Sequence, residues 1–218
     1  MKDLTCGALL FDLDGVLIDS TNCIIRHWAT WAGQHGLDVS DVMKVAHGLR
    51  TIETMRLVAP HLDIEAEAER HAAREIADTD GIVAIEGALQ LLESLPGDAW
   101  AVVTSGGAEL ATARLRRAGL PVPGILVTAD DVLHGKPAPD PYLLGAERLG
   151  VAVPQCVVVE DAPAGLQSAR AAGMRAIGVA STHSREELHR ATVIVERLSA
   201  ISVSTQDGTG PRLVIQVG

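Results

Sequence analysis

The sequence predicts an α/β fold in which a doubly wound parallel sheet carries an inserted helical domain. Short apolar runs recur along the chain, and segments with helical apolar spacing separate them. This alternation is typical of parallel sheets with helices packed on both faces. One long segment, residues 19–85, breaks the alternation because it is helix-patterned and almost free of strand-like runs. We therefore expect a Rossmann-like core with a helical insertion after its first strand.

Six apolar runs are the expected strands of the core. They are too short for buried helices and lack polar alternation, as expected of parallel strands that are buried on both faces. The runs comprise residues 8–11, 100–103, 124–127, 156–159, 175–179 and 192–195.

Apolar residues spaced at i, i+3 and i+4 predict helices between these strands. The helices are expected at residues 87–95, 108–118, 140–149 and 163–172. Glycine follows three of them, at Gly119, Gly150 and Gly173, and glycine is a common left-handed helix stop. The last segment, residues 201–218, has two strand-like runs around an Asp-Gly pair, which predicts an edge hairpin.

The helix-patterned segment also predicts the domain organisation. Residues 1–18 plus 86–218 form the expected core domain, and residues 19–85 form a helical domain. Ser20 or Thr21 is a candidate N-cap for its first helix.

Two further helices are expected in this domain. Thr51 is a candidate N-cap for a helix that begins at Ile52, and residues 65–78 have a charged amphipathic pattern.

Composition narrows the class of protein. Of 218 residues, 47% are hydrophobic and only 2% are aromatic, so we expect an aliphatic core. The net charge of −10 and the lack of a Lys/Arg run argue against nucleic-acid binding. No apolar run approaches the roughly 20 residues that cross a bilayer, and three widely spaced cysteines favour reduced thiols. We expect a soluble cytoplasmic protein with no nucleic-acid or membrane partner.

Polar residues follow four of the expected strands, at the edge where ligands of open α/β sheets bind. In strand order they are Asp12 and Asp14; Thr104, Ser105 and Gly106; Lys136; and Glu160 and Asp161. Taken singly, each of these residues also has a structural explanation as part of a turn, a helix N-cap or a solvated loop.

Taken together, these residues indicate one kind of chemistry. Four clustered carboxylates repel one another unless cations neutralise them. Lys136 supplies one positive charge, and Mg²⁺ suits a site of carboxylates, waters and phosphate. Ser105 and the N–H groups of Gly106 and Gly107 open a helix and form a candidate phosphate cradle. The set points to phosphoryl transfer, with a carboxylate as candidate nucleophile.

These segments resemble the four motifs of the haloacid dehalogenase (HAD) superfamily, in order and over nearly the whole chain. The motifs correspond to residues 12–20, 103–107, 135–140 and 159–165. The insertion resembles the helical C1 cap of that superfamily. Within it, residues 46–51 resemble the specificity segment of the glycerol-3-phosphate and 2-deoxyglucose-6-phosphate phosphatase branch.

The resemblance implies a Mg²⁺-dependent phosphomonoester hydrolase that forms an aspartyl-phosphate on Asp12. Asp14 is then the general acid and base, and Lys136 offsets the charge of Asp12 and the phosphoryl group. The residues implied for phosphate binding are Thr104, Ser105, Gly106 and Lys136. Those implied for Mg²⁺ are Asp12, the backbone carbonyl of Asp14, Glu160 as ligand or outer-shell residue, and Asp161.

The same resemblance implies that the cap closes over the site, excludes bulk water and contacts the leaving group. His47, Gly48 and Arg50 are the candidate substrate contacts, and a small phosphorylated sugar or polyol is the expected substrate. A structural His47 and a solvated Arg50 stay open as alternatives. Capped members need no second chain to complete the site, so we expect a monomer.

Two related activities stay open, a phosphomutase similar to β-phosphoglucomutase and a phosphoglycolate phosphatase. The mutase typically has a lysine soon after the serine of the second motif, so Gly107 favours hydrolysis. A dehalogenase lacks the acid that Asp14 supplies, and an inactive scaffold would have lost a motif carboxylate. The sequence does not choose among hexitol phosphates, 2-deoxyglucose-6-phosphate and glycerol-3-phosphate.

Overall fold

The structure is a computed structural model that describes residues 3–46, 48–206 and 212–218. The strands in these ranges are β1 (Leu4–Cys6), β2 (Ala8–Phe11), β3 (Ile18–Asp19), β4 (Val83–Ala84), β5 (Trp100–Val103), β6 (Leu126–Val127), β7 (Cys156–Glu160), β8 (Arg175–Val179), β9 (Val193–Val195), β10 (Ile201–Gln206) and β11 (Arg212–Val217). The helices are α1 (Thr21–His35), α2 (Val39–Ala46), α3 (Thr51–Val58), α4 (Ile64–Ala77), α5 (Ala88–Glu93), α6 (Ala108–Arg117), α7 (Asp140–Leu149) and α8 (Pro163–Ala171).

Six parallel strands form the core sheet in the order β6-β5-β2-β7-β8-β9. The central strand, β2, pairs Phe11 with Val102 on one side and with Val159 on the other. All four residues of β2 are buried, because helices cover both faces of the sheet. The predicted doubly wound α/β core is therefore confirmed, although only two residues of the run at 124–127 form a strand.

The last two strands form a sheet different from the expected one. β10 and β11 pair antiparallel, as a hairpin requires, with Ile201 opposite Val217. They do not extend the core sheet, because β11 pairs on its other edge with β1 in a separate three-stranded sheet. The three residues of β1 are too few to give a strand signal in the sequence. The predicted turn at Asp207 and Gly208 lies outside the described residues.

Four helices, α1 to α4, lie between β3 and β4, which pair antiparallel as a two-stranded ribbon. We call residues 19–85 the helical insertion; their assignment as a separate domain stays a prediction. The insertion has its own apolar cluster, built around Trp28, Trp31 and Met55. The sequence pattern did not predict α2.

Of the predicted N-caps in the insertion, Ser20 is confirmed in position and Thr51 is wrong. Ser20 precedes α1 but makes no side-chain capping bond, because its hydroxyl donates to Asp14 instead. Helix α3 includes Thr51 itself, and Arg50 occupies the N-cap position. In the described ranges, no helix combines the length and apolar character that a bilayer crossing requires.

Candidate active site

The predicted acidic residues converge at the carboxyl ends of two neighbouring strands. β2 ends at Phe11 and β7 ends at Glu160, and the parallel register sets Phe11 beside Val159. The backbone N–H of Asp12 continues this pairing by donating to the carbonyl of Val159 at 2.9 Å. Asp12 therefore lies beside Asp161, and both side chains are buried.

Lys136 reaches the same point from the loop before α7. Its ammonium group donates to Asp12 Oδ1 at 2.6 Å, to Glu160 Oε1 at 2.8 Å and to the carbonyl of Val103 at 3.1 Å. The side chain is only 1% exposed. A buried ammonium is stable when it is paired and hydrogen-bonded, and the two carboxylates raise the pKa of Lys136 well above its ordinary value, against the effect of burial.

Glu160 is fully buried and fully hydrogen-bonded. Besides Lys136, Oε1 accepts from the hydroxyl of Tyr142 at 3.0 Å, and Oε2 accepts from the N–H groups of Asp161 and Ala162 at 2.8 and 2.9 Å. Four donors occupy both oxygens, so this arrangement favours the outer-shell role over direct ligation. Glu160 holds Lys136 and the backbone that carries Asp161.

Asp161 has one oxygen in need of a partner. Oδ2 accepts from the hydroxyl of Thr182, whereas the buried Oδ1 has no hydrogen-bond partner among the described residues. Asp12, Glu160 and Asp161 each present an oxygen within 4.8 Å of the others. A buried, unsatisfied carboxylate oxygen beside two further carboxylates fits a hard divalent cation such as Mg²⁺.

The electrostatics of the cluster agree with that fit. Burial raises the pKa of Asp12 to about 7, against the lowering effect of Lys136, and Glu160 adds to the rise. Burial also raises the pKa of Asp161 well above its ordinary value, with Glu160 and Asp12 adding to the effect. Three acids share one ammonium, and a divalent cation would restore the balance of charge.

Asp14 lies apart from the three-acid cluster. Its Oδ1 accepts from the hydroxyl of Ser20 at 2.5 Å and from the guanidinium of Arg114 at 2.8 Å. Gly15 follows in a left-handed conformation, and a Cβ at this glycine would overlap the carboxylate of Asp161. The turn therefore requires glycine, because a side chain at this position would displace the carboxylate of Asp161.

The candidate phosphate cradle follows β5. Thr104 is buried, and its hydroxyl accepts from the N–H of Gly106 at 3.1 Å. Ser105 donates its hydroxyl to the carbonyl of Gly48 in the insertion at 2.9 Å. The N–H of Gly106 is thus engaged rather than free as expected, and Ser105 joins the core to the insertion.

The predicted substrate contacts of the insertion have different outcomes. Gly48 lies at the site through its bond to Ser105, and His47 lies outside the described residues. Arg50 donates to Glu53 at 2.9 and 2.5 Å and to the carbonyls of Val132 and Leu133 at 3.3 and 3.1 Å. Arg50 therefore ties the insertion to a core loop, and its contact with substrate stays a prediction.

A cavity of about 90 Å³ lies between the core and the insertion. The core side presents the acids and the cradle, and the insertion side presents both apolar and polar residues. The residues that line it include Asp12, Asp14, Ser105, Asp161, Ile24, Trp28 and Leu49. The cavity is smaller than the roughly 300–1,000 Å³ of typical small-molecule sites. A neighbouring cavity of about 400 Å³ shares Glu75, Ser105 and Gly106 with it and also lies between the insertion and the core.

Residues 9–179 match the family described as haloacid dehalogenase-like hydrolase. The chain belongs to this family. Hexitol phosphatase A of Escherichia coli (strain K12) is 43% identical over 208 residues, which cover 93% of this chain and 96% of that protein. Glycerol-1-phosphate phosphohydrolase 2 of Saccharomyces cerevisiae is 35% identical and covers 92% of this chain and 86% of its own length.

A solved structure, a hydrolase from Pseudomonas syringae, is also similar to this chain. It is 28% identical, superposes with a TM-score of 0.78, and covers 88% of this chain and 94% of its own. The predicted resemblance to the HAD superfamily is confirmed, and the chain is a HAD-type hydrolase with phosphatase relatives.

Sequence reasoning missed several side chains at the site of this HAD hydrolase. They are Ser20, Glu75, Arg114, Tyr142 and Thr182. The sequence pattern could have identified Arg114, because this residue lies on the apolar face of α6 with Leu110, Ala111 and Leu115. An arginine on a buried helix face needs a buried anion as its partner.

Proposed function

We propose that this HAD hydrolase is a phosphatase of small phosphorylated sugars or polyols that uses Mg²⁺ and forms an aspartyl-phosphate on Asp12. One observation carries the proposal: the buried Lys136 ammonium lies 2.6 Å from Asp12, beside two more buried acids. The names of the relatives, which include a hexitol phosphatase and a glycerol-1-phosphate phosphohydrolase, support the substrate class.

In the first half of the reaction, an oxygen of Asp12 attacks phosphorus and forms a P–O bond. The bond from phosphorus to the leaving oxygen breaks, and its electron pair stays on that oxygen. Asp14 gives its carboxyl proton to the same oxygen, so an alcohol leaves. Lys136 offsets negative charge on Asp12 and on the transferring group.

In the second half, water attacks the phosphorus of the aspartyl-phosphate. Asp14 takes one proton from this water, and the bond between phosphorus and the Asp12 oxygen breaks. Inorganic phosphate leaves, and both carboxyl groups return to their starting states. Asp12 and Asp161 would hold Mg²⁺, which supplies charge stabilisation at the phosphoryl oxygens when bound.

In this proposal residues 19–85 act as a cap. The cavity at the acids is small, and in this proposal the insertion moves away from the core to admit substrate. Movement breaks the bond of Ser105 to Gly48. The phosphate then takes the place of Gly48 as the partner of the Ser105 hydroxyl and keeps that place when the insertion closes again. The proposed reaction needs no residue from a second chain, so we propose that the protein acts as a monomer.

A phosphate-release screen tests the proposal. The purified protein is incubated with hexitol phosphates, 2-deoxyglucose-6-phosphate, glycerol phosphates, fructose-1-phosphate and phosphoglycolate, with Mg²⁺ or with EDTA. We expect release from a sugar or polyol phosphate that EDTA abolishes, Mg²⁺ restores and Asp12→Asn removes. Isomer interconversion without release identifies a mutase, and release confined to phosphoglycolate identifies the other alternative; either result contradicts the proposal.

A further inference from the structure

A buried chain of hydrogen bonds joins Asp14 to the far end of the insertion. Arg114, on α6 of the core, donates from Nη1 to Asp14 Oδ1 at 2.8 Å and from Nη2 to Glu75 Oε1 at 2.7 Å. Glu75 lies on α4 of the insertion. Arg114 and Glu75 are only 4% and 5% exposed, so little solvent screens the chain.

The charges in this chain depend on one another. Arg114 has two anionic neighbours, Asp14 and Glu75, and these raise its pKa against the effect of burial. His71 Nε2 lies 3.6 Å from Glu75 Oε2, but burial lowers the pKa of His71 to about 4, so His71 is neutral at pH 7. Arg114 is therefore the cation that balances Glu75.

The geometry also fixes which atom of Asp14 faces its partners. Both Ser20 and Arg114 donate to Oδ1. Ser20 lies at the start of the insertion, and Glu75, which holds Arg114, lies near its end. The carboxylate orientation of Asp14 thus depends on both ends of the insertion, and Oδ2 is the oxygen available to the leaving group.

We propose that Glu75 and Arg114 are positioning residues that aim Asp14 at the leaving oxygen when the insertion is closed. This inference rests on the proposed function. Neither residue transfers a proton; Glu75 fixes the guanidinium, and the guanidinium fixes Asp14. Loss of either residue therefore impairs the departure of leaving groups that need a proton more than the departure of those that do not.

The test compares two leaving groups in Glu75→Ala. A sugar or polyol phosphate from the screen leaves as an alkoxide that needs a proton, whereas p-nitrophenyl phosphate leaves as a stabilised phenolate. The ratio kcat/KM includes only the steps through departure of the leaving group. We expect kcat/KM to fall by about 10–100-fold for the sugar or polyol phosphate, a part of the contribution of general acid catalysis. For p-nitrophenyl phosphate we expect a fall within about 3-fold, since this step needs no acid.

Two further variants keep the test independent of folding defects. Glu75→Gln keeps an oxygen that accepts from Arg114, so we expect it to recover most of the lost activity. Arg114→Lys keeps the positive charge but reaches only one of the two acids, so we expect the same selective loss as in Glu75→Ala.

Glu67→Ala is the matched control. Glu67 lies on the same helix and accepts from Trp31 within the insertion at 2.9 Å, away from Asp14. Glu67→Ala should change kcat/KM by the same factor for both substrates. Equal losses on both substrates in the Glu75 and Arg114 variants, or no loss, overturn the inference. Asp12→Asn tests the proposed function separately. If the wild type is active and Asp12→Asn is inactive, the proposed function holds even when the inference about Glu75 and Arg114 fails.

Discussion

Lys136 Nζ lies 2.6 Å from Oδ1 of Asp12, and both side chains are buried. The same ammonium bonds Glu160, so one cation holds two of the three acids in the cluster. This relationship explains how the chain keeps several carboxylates at one edge of the sheet, where mutual repulsion would otherwise separate or protonate them.

Removal of this ammonium should impair both catalysis and folding. Lys136→Met keeps the length of the side chain and leaves buried acids without their cation. We expect kcat to fall by more than about 100-fold and the free energy of unfolding to fall by about 3 kcal/mol. Steady-state kinetics and urea unfolding measure the two effects.

Lys44→Met is the control for this variant. Lys44 also pairs at 2.6 Å, with Asp41, but both side chains are about two-thirds exposed. Exposed pairs contribute little to stability, so we expect activity and unfolding to stay near those of the wild type. Similar losses of kcat and unfolding free energy in the two lysine variants would show that the effect of Lys136→Met does not come from burial of its ion pairs.

Metal binding should be visible without an activity assay. A ligand that binds only the folded state raises stability by about 2.7 kcal/mol at 100 times its Kd. We expect Mg²⁺ to raise the Tm of the wild type by several degrees and to leave Asp161→Asn unchanged, since that variant loses the unpartnered carboxylate oxygen. The control Asp131→Asn, whose acid pairs with Arg148 outside the site, should keep the Mg²⁺ response. An equal shift in Asp161→Asn would place the metal elsewhere.

Gly165 should tolerate no larger residue. A Cβ at Gly165 would overlap Oε1 of Glu160, the oxygen that holds Lys136 and Tyr142. We expect Gly165→Ala to lower kcat by at least about 10-fold and to destabilise the fold by about 1–3 kcal/mol. Gly33→Ala, in α1 with open space around it, should keep full activity and gain about 0.5–1 kcal/mol. Full activity in Gly165→Ala would show that catalysis does not depend on the present position of the Glu160 carboxylate.

Acid should destabilise the protein through His71. Burial, followed by the charges of His27, Arg74 and Arg114, lowers the pKa of His71 to about 4 from 6.5. The unfolded chain therefore binds an extra proton between these values, so the stability present above pH 6.5 is lost as the pH falls to 4. The expected loss is about 3 kcal/mol.

Urea unfolding at several pH values measures this loss. His71→Gln removes the titrating ring, so the stability of the wild type relative to this variant should fall by that amount between pH 6.5 and 4. The raised pKa values of Asp12 and Asp161 act in the opposite direction in both proteins and cancel in this difference. The charged or titratable groups around the ring, which stay in place in the variant, are His27, Glu67, Arg74, Glu75 and Arg114. An unchanged slope in His71→Gln would assign the acid sensitivity to those groups.

The acidic cluster could be predicted from the sequence because strand ends converge in a parallel sheet. Asp12 and Asp161 each follow a buried apolar run, and neighbouring parallel strands bring such positions together. The place of Lys136 after the run at 124–127 made it a candidate cation for the site. No pattern in a Pro-flanked loop shows that this lysine is buried.

Other contacts could not be predicted because they join elements far apart in the chain. Arg114 bonds Asp14 across 100 residues and Glu75 across 39. Periodicity shows that Arg114 and Glu75 lie on buried helix faces, but it does not show which helices pack together. The hydroxyl of Ser20 could either cap α1 or bond a neighbouring acid. It bonds Asp14 and makes no capping bond, which the sequence could not show.

The most direct test of this account is to trap the covalent intermediate on Asp12. The enzyme is mixed with excess substrate and Mg²⁺, quenched in acid within milliseconds, digested and mapped by mass spectrometry. The proposed mechanism predicts a phosphorylated peptide that contains Asp12, forms at least as fast as turnover and is missing in Asp12→Asn. Turnover without any phosphorylated peptide, or phosphate on a different residue, would contradict it.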